Sequence, residues 1–391
     1  MVGPRGQIFL AAQFQPVNCA TGDPEPGTAY SCVWTSTDEG NHWHVIGGEP
    51  GRQAGDDVDL ARPAGSNALI LSGMADEEGT GTGTAETTVS RTTDGGRHWT
   101  EAHDANHTAV NDRPFLLDAG NHDLLLTFAA VPGNIEAVRS TDDGASFGAP
   151  ILVTPVPPQL VLSVNGGPVY DRARHQLVVP YASSSNPGCT SAPNACFNQI
   201  GLARSSDDGH TWTQERIATL PANEGLNSEF DVAADAKGRE YAVLAIATGT
   251  SPFAPPTGQT EVWFTTSAGP GKPWSRLARL PGGSGMLPWV VAAGDGNVGI
   301  AWYASASSNG ETASVPWVVE AAVSHDGGRK WSVGGVSDHV VYGGSGYTHQ
   351  PVVWDLLGLA FDSHGMLNVA WGDVGDNATG PAGIEFSRQI R

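Results

Sequence analysis

The chain is 391 residues long, carries 41 acidic against 20 basic side chains for a formal net charge of −21, and holds 51 glycines and 27 prolines. Phosphate contacts need clustered Lys and Arg, so this charge argues against nucleic acid and an anionic membrane as partners, and no apolar run is long enough to span a bilayer. Aromatic and β-branched residues are spread among the turn formers, which reads as many short strands rather than as disorder.

Residues 1–20 lack a basic start followed by an apolar core, so the Met1-Val-Gly-Pro4 start reads as a mature or trimmed chain. The four cysteines fall as two close pairs, Cys19 with Cys32 and Cys189 with Cys196. Their spacings are not C-x2-C and no His pair lies near. Two local disulfides are therefore expected, and with them an oxidising, extracellular compartment.

A polar phrase then punctuates the chain. It occurs as TSTDEGNHW at 35–43, RTTDGGRHW at 91–99, RSTDDGASF at 139–147, RSSDDGHTW at 204–212 and VSHDGGRKW at 323–331. The central acids Asp38, Asp94, Asp142, Asp207 and Asp326 are separated by 56, 48, 65 and 119 residues. The last gap is about double, so a degenerate copy is expected near Thr265–Trp274, with Ser267 standing for the acid. A period of this size marks a propeller or another circular array.

Within each repeat the grammar is constant. In 229–280 a strand at Phe230-Asp-Val-Ala-Ala234 is followed by a turn and a second strand from Glu240. A third strand from Glu261, the phrase and a fourth strand from Arg276 complete the repeat. Four antiparallel strands make one blade. The expectation is a single all-β domain over 1–391, a β-propeller of seven blades. Six is the alternative because both terminal repeats are partial. The phrase falls in the turn between the third and fourth strands, where Asp accepts turn N–H groups and Gly takes positive φ. It reads as a staple of the fold, not as the working site.

The phrase resembles the Asp box, and its repetition is similar to the sialidase-like propeller superfamily. The run Gly55-Asp-Asp-Val-Asp-Leu-Ala61, the later Asn111-Asp-Arg-Pro-Phe115 and TTDGGRHW are similar to secreted actinobacterial proteins of the exo-sialidase family. That resemblance implies a secreted carbohydrate-active protein, with a sialidase-like glycoside hydrolase as the leading activity. Many functions share such propellers.

Aligning the repeats on the ends of their first strands puts Asp57, Asp112, Asn165 and Glu229 at one level facing a central funnel, with Asp59 and Asp231 two residues on. Paired carboxylates can divide into proton donor and base or nucleophile. The catalytic candidates are Asp57, Asp112, Glu229 and Tyr347. The resemblance to sialidases implies Arg113 for a sugar carboxylate and a Glu229–Tyr347 nucleophile pair. The strand after Glu229, Ala245-Ile-Ala-Thr-Gly249, carries no second arginine. Asn165, His349 and Trp354 complete the substrate-binding candidates.

Two alternatives stay open. One is a non-catalytic carbohydrate- or surface-binding propeller; the other is a polysaccharide lyase using Tyr347 and His349 to remove a proton α to a uronate carboxyl. No cofactor is required, though Asp57 and Asp59 are candidate ligands for Ca²⁺. The expected partner is a glycan or other small-molecule substrate, and a monomer is expected.

Overall fold

The structure, a computed structural model, describes residues 1–3, 6–14, 19, 30–48, 54–76, 85–100, 103–105, 111–130, 134–154, 164–184, 197–221, 223–249, 258–306, 315–343, 356–373 and 383–389. Among them there is no α-helix, and the strands pair antiparallel.

The first sheet joins β1 (Ile8–Phe14), β2 (Tyr30–Ser36) and β3 (His44–Gly48). The second runs through β4 (Ala54–Ala61), β5 (Leu69–Asp76), β6 (Ala85–Thr92) and β7 (His103–Asp104). The third holds β8 (Asn111–Gly120), β9 (Asp123–Ala130), β10 (Asn134–Ser140) and β11 (Ile151–Leu152). In the fourth, β12 (Val164–Asn165) and β13 (Val169–Asp171) both pair with β14 (Gln176–Ser183), followed by β15 (Gln199–Ser205) and β16 (Thr213–Thr219).

A seven-stranded sheet follows, through β17 (Glu224–Ala234), β18 (Glu240–Thr248), β19 (Thr260–Ser267), β20 (Ala278–Ala293), β21 (Asn297–Ala304), β22 (Val318–Ser324) and β23 (Ser332–Gly335). The last sheet holds β24 (Gly358–Phe361), β25 (Leu367–Asp373) and β26 (Gly383–Arg388). The seven strands are two repeats sharing one long strand. The first part of β20 pairs with β19 through Phe264↔Ala278, and its second part pairs with β21 from Gly285↔Ala304 to Ala293↔Asn297.

Two compact units make up the chain. One comprises Met1–Val156, Gln176–Val179 and Ala203–Thr213; the other comprises Pro157–His175, Pro180–Leu202 and Gln214–Arg391. In each, apolar faces of successive repeats close on one another. Ile70 and Val89 of one sheet pack with Leu116, Leu126 and Phe128 of the next. In the other unit, Tyr241, Val243 and Phe264 meet Val298, Ile300 and Trp302, and Tyr303 and Trp317 meet Val369 and Trp371. Middle strands are buried on both faces, so β9 reads as a near-continuous apolar run, whereas the outer strand β23 is exposed throughout.

The repeated phrase forms one turn five times. In the fourth copy Ser205 Oγ donates to Asp207 at 2.7 Å and accepts the Gly209 N–H at 2.8 Å, while Thr211 N–H donates to Asp207 at 2.9 Å. The same bonds recur at Ser36–Asp38–Gly40, Thr92–Asp94–Gly96, Ser140–Asp142–Gly144 and Ser324–Asp326–Gly328. These glycines have φ between 77° and 90°, the left-handed region that penalises a Cβ. The closing aromatic packs on the preceding repeat: Trp99 donates to the Ile46 carbonyl at 2.8 Å, and Trp331 meets Phe264 edge-on at 5.0 Å.

The degenerate copy differs from the sequence expectation. Ser267 ends β19 as Ser205 and Ser324 end their strands, and Trp274 follows it by the usual seven residues. Ser267 is therefore the hydroxyl residue of the turn, and Gly269 stands where the other copies have their acid. Lacking an acid to donate to, Ser267 Oγ donates to backbone carbonyls of Gly269 and Lys272, at 3.1 and 3.2 Å.

Candidate functional site at the starts of the first strands

In four repeats the first strand carries a bulge near its start, between Ala54 and Val58, Asp112 and Phe115, Leu226 and Phe230, and Met286 and Trp289. A bulge re-aims the strand and leaves residues unpaired at its shoulder. The residues just past it, Val58, Phe115, Phe230 and Trp289, define a common level. Asp57 and Glu229 stand immediately before it, as do Pro114 and Pro288. Asp112 stands two residues further back than the aligned sequence placed it, because its bulge contains the Arg113–Pro114 pair.

One residue past that level the side chains tie neighbouring repeats together. Asp59 accepts the N–H of Leu60 at 2.7 Å on one oxygen and that of Leu116, in the next repeat, at 2.8 Å on the other. Asp231 accepts the Val290 N–H at 2.9 Å, and Gly167 and Val232 donate to it as well. Burial pushes Asp59 up to about 6 and Asp231 up to about 7, because desolvation of the charged form outweighs the amide donors. These acids are braces between first strands. Among the described residues no group of three His, Cys, Asp or Glu side chains gathers to hold a metal, and both Asp59 oxygens already accept amides.

Asp57 is buried, at 8% exposure, on β4. On β8, Asp112 has a half-exposed side chain 3.8 Å from the guanidinium of Arg113, whose own side chain is 12% exposed. Arg113 has φ 59°, and Leu287, at the same place in its repeat, has φ 53°. Each precedes a proline and sits in a bulge. The left-handed backbone belongs to the fold, since a leucine adopts it too. The guanidinium is peculiar to position 113.

Asn165 ends β12 opposite Tyr181 and Glu229 lies in β17, with both side chains outside the described residues. Tyr347, His349 and Trp354 lie outside the described residues altogether, as do Cys189 and Cys196. Cys19 and Cys32 are joined in a disulfide. Trp289 packs partly buried against a core cluster with Leu287 and Tyr303.

Sequence reasoning passed over one cluster. His339, between β23 and β24, is held at 2.7 Å by Asp338 on one ring nitrogen and at 2.5 Å by Asp373, the last residue of β25, on the other. Two carboxylates demand two N–H donors, so the ring is an imidazolium, raised to about 9 by Asp338 and then Asp373. The 34 residues between His339 and Asp373 hide this relation from the sequence.

Neither a protein-family model nor a curated protein sequence matches the chain. Among solved structures it is similar to a protein of unknown function from Dyadobacter fermentans, at 15% identity and a TM-score of 0.57 over 86% of this chain and 95% of that one. It is also similar to a polysaccharide lyase, an ulvan lyase bound to a GlcA–Rha3S repeat, at 12% identity and a TM-score of 0.54 over 98% and 90%. A Hadza microbial sialidase matches at 15% identity and a TM-score of 0.53 over 92% and 73%. The sialidase and the lyase are propeller-type structures, and at such identities the likeness is one of fold: this chain is all-β, with antiparallel sheets of propeller type.

Proposed function

We propose that the protein is a secreted, carbohydrate-active β-propeller of the Asp-box kind, seven-bladed and one domain, acting as a sialidase-like glycoside hydrolase on an acidic glycan. The observation that carries this reading is Arg113. A conformation that another repeat fills with the buried Leu287 here holds a guanidinium beside a half-exposed carboxylate. A planar guanidinium recognises a sugar carboxylate with paired hydrogen bonds. The likeness to a sialidase and to a lyase bound to a glucuronate-containing glycan supports the same substrate chemistry.

On this reading Arg113 holds the acidic group, Asp112 or Asp57 supplies the proton donor, and Glu229 with Tyr347 forms the nucleophile pair. The likeness to the ulvan lyase favours a second reading, elimination by Tyr347 and His349. The test is Arg113→Leu, which the fold accommodates as it does Leu287, screened on chromogenic glycosides and acidic polysaccharides. Turnover of acidic substrates should fall by about tenfold to a hundredfold, the worth of a charged hydrogen bond, with an unchanged melting temperature. Wild-type protein inert on the whole panel would sink the enzymatic reading. An ultraviolet-absorbing unsaturated uronate product would select the lyase.

A further inference from the structure

All three lysines of this acidic chain, Lys237, Lys272 and Lys330, fall on turns at the same end of the shared seven-stranded sheet. Lys237 lies in the turn between β17 and β18, Lys272 in the degenerate turn after β19, and Lys330 in the phrase after β22. In an antiparallel meander, first-to-second and third-to-fourth turns share one end. The turns are also tied together directly. Arg174 donates to Asp171 at 2.7 Å, to the Gly238 carbonyl at 2.6 Å and to that of Ala268 at 3.0 Å. Arg239 pairs with Asp235 and Asp295, and Gly327 N–H donates to the Gly296 carbonyl at 2.9 Å.

The balance of charge at this end is inverted relative to the chain. Asp171 and Asp235 have side chains with no exposure and are neutralised by Arg174 and Arg239. What remains at the surface is Lys237, Lys272, Arg329 and Lys330, all exposed, against Asp295 and Asp326. Replacement of the usual acid by Gly269 removes a carboxylate that the other turns carry. Between the degenerate turn and the phrase at 324–331 lies a groove of roughly 300 Å³, lined by Arg239, Thr266, Ser275, Asp326 and Arg329. A turn end whose exposed side chains are more basic than acidic, on a chain of net charge −21, fits a polyanion in charge and would steer it.

We infer that this turn end is a docking surface for an acidic polysaccharide, separate from the site at the strand starts. The choice of a glycan over another polyanion rests on the carbohydrate reading above; the surface itself does not. The groove's one aromatic, Phe264, is buried against Tyr241 and Trp331, leaving no ring for base stacking.

Affinity electrophoresis of the full chain through gels holding polygalacturonate, dextran sulfate or neutral dextran tests the inference. Retardation is expected in the two acidic gels, weakening with salt, and not in neutral dextran. The triple variant Lys237→Gln, Lys272→Gln, Lys330→Gln should bind about tenfold or more weakly, since these exposed lysines supply the charge contacts. The triple substitution should weaken retardation by the same factor in an Arg113→Leu background, which separates failure here from failure of the proposed active site. No retardation of the wild type, undiminished retardation of the triple variant, or loss of the lysine effect in the Arg113→Leu background would each overturn the inference. Tighter retention by single-stranded DNA than by either polysaccharide would overturn the choice of glycan.

Discussion

Asp231 accepts the backbone N–H of Val290 at 2.9 Å, and Asp59 makes the same bond to Leu116 at 2.8 Å in a different pair of repeats. Each acid sits one residue past a bulge and reaches the residue at the same level of the next first strand, three beyond a left-handed position, Leu287 or Arg113. The bulge aims the side chain and the left-handed residue aims the amide.

Replacing Asp231 with Ala should cost about 1–3 kcal/mol for each buried amide left without an acceptor. Asp231→Asn, which keeps a carbonyl oxygen, should cost less. Urea melts of the two variants decide; equal melts would mean the brace is not supporting the fold.

The raised acids also give stability a pH dependence. A carboxyl at about 7 when folded and about 4 when unfolded binds more protons in the folded state between those limits, so stability falls as pH rises from about 4 through 7. Asp231 contributes on the order of 2–4 kcal/mol to that fall, and Asp59, at about 6, acts in the same sense. The turn acids oppose it. Hydrogen bonds from Thr211 hold Asp207 at about 2 and those from His42 hold Asp38 at about 2, so their contribution is lost as pH falls from about 4 towards 2. Melting temperature should therefore peak near pH 4, and Asp231→Asn should flatten the alkaline arm.

Two glycines of similar φ should respond differently to alanine. At Gly328, φ 85°, a Cβ would lie 2.4 Å from Phe264, whereas at Gly271, φ 68°, it would meet nothing within 4 Å. Gly271→Ala should cost only the left-handed penalty of about 1–2 kcal/mol. Gly328→Ala adds overpacking of about 1–3 kcal/mol. Thermal denaturation of both variants provides the comparison.

Ser205 is buried and serves two partners, so Ser205→Ala should lower stability by about 1–3 kcal/mol while sparing carbohydrate binding. A normal melt with lost binding would make the turn part of the site.

The Cys19–Cys32 bridge closes 13 residues, and its removal should cost about 3 kcal/mol by loop entropy. Non-reducing peptide mapping should find Cys189 joined to Cys196 in the same way.

Local chemistry was legible in the sequence. The hydroxyl–acid–glycine–aromatic phrase bonds within itself over a few residues, so its five copies announced five turns, and with them the strand order and the antiparallel class. Cys19–Cys32 was legible for the same reason. What depended on through-space neighbours was not. Asp59 reads with Asp57 as a candidate cation ligand and Asp231 as its counterpart in another repeat, but only folding brings Asp59 and Asp231 to amides 57 and 59 residues away. Asp112 was misplaced by two residues because a bulge inserts length without a sequence signal that fixes its register. Ser267 reads in the sequence as the acid's substitute, whereas the end of β19 makes it the hydroxyl residue of the turn. His339 with Asp373, and the gathering of three lysines at one sheet end, arise from strand pairing alone. Sequence by itself determined the elements with local causes; burial, register and charge surroundings were decided by tertiary structure, because those depend on which distant strands come to lie side by side.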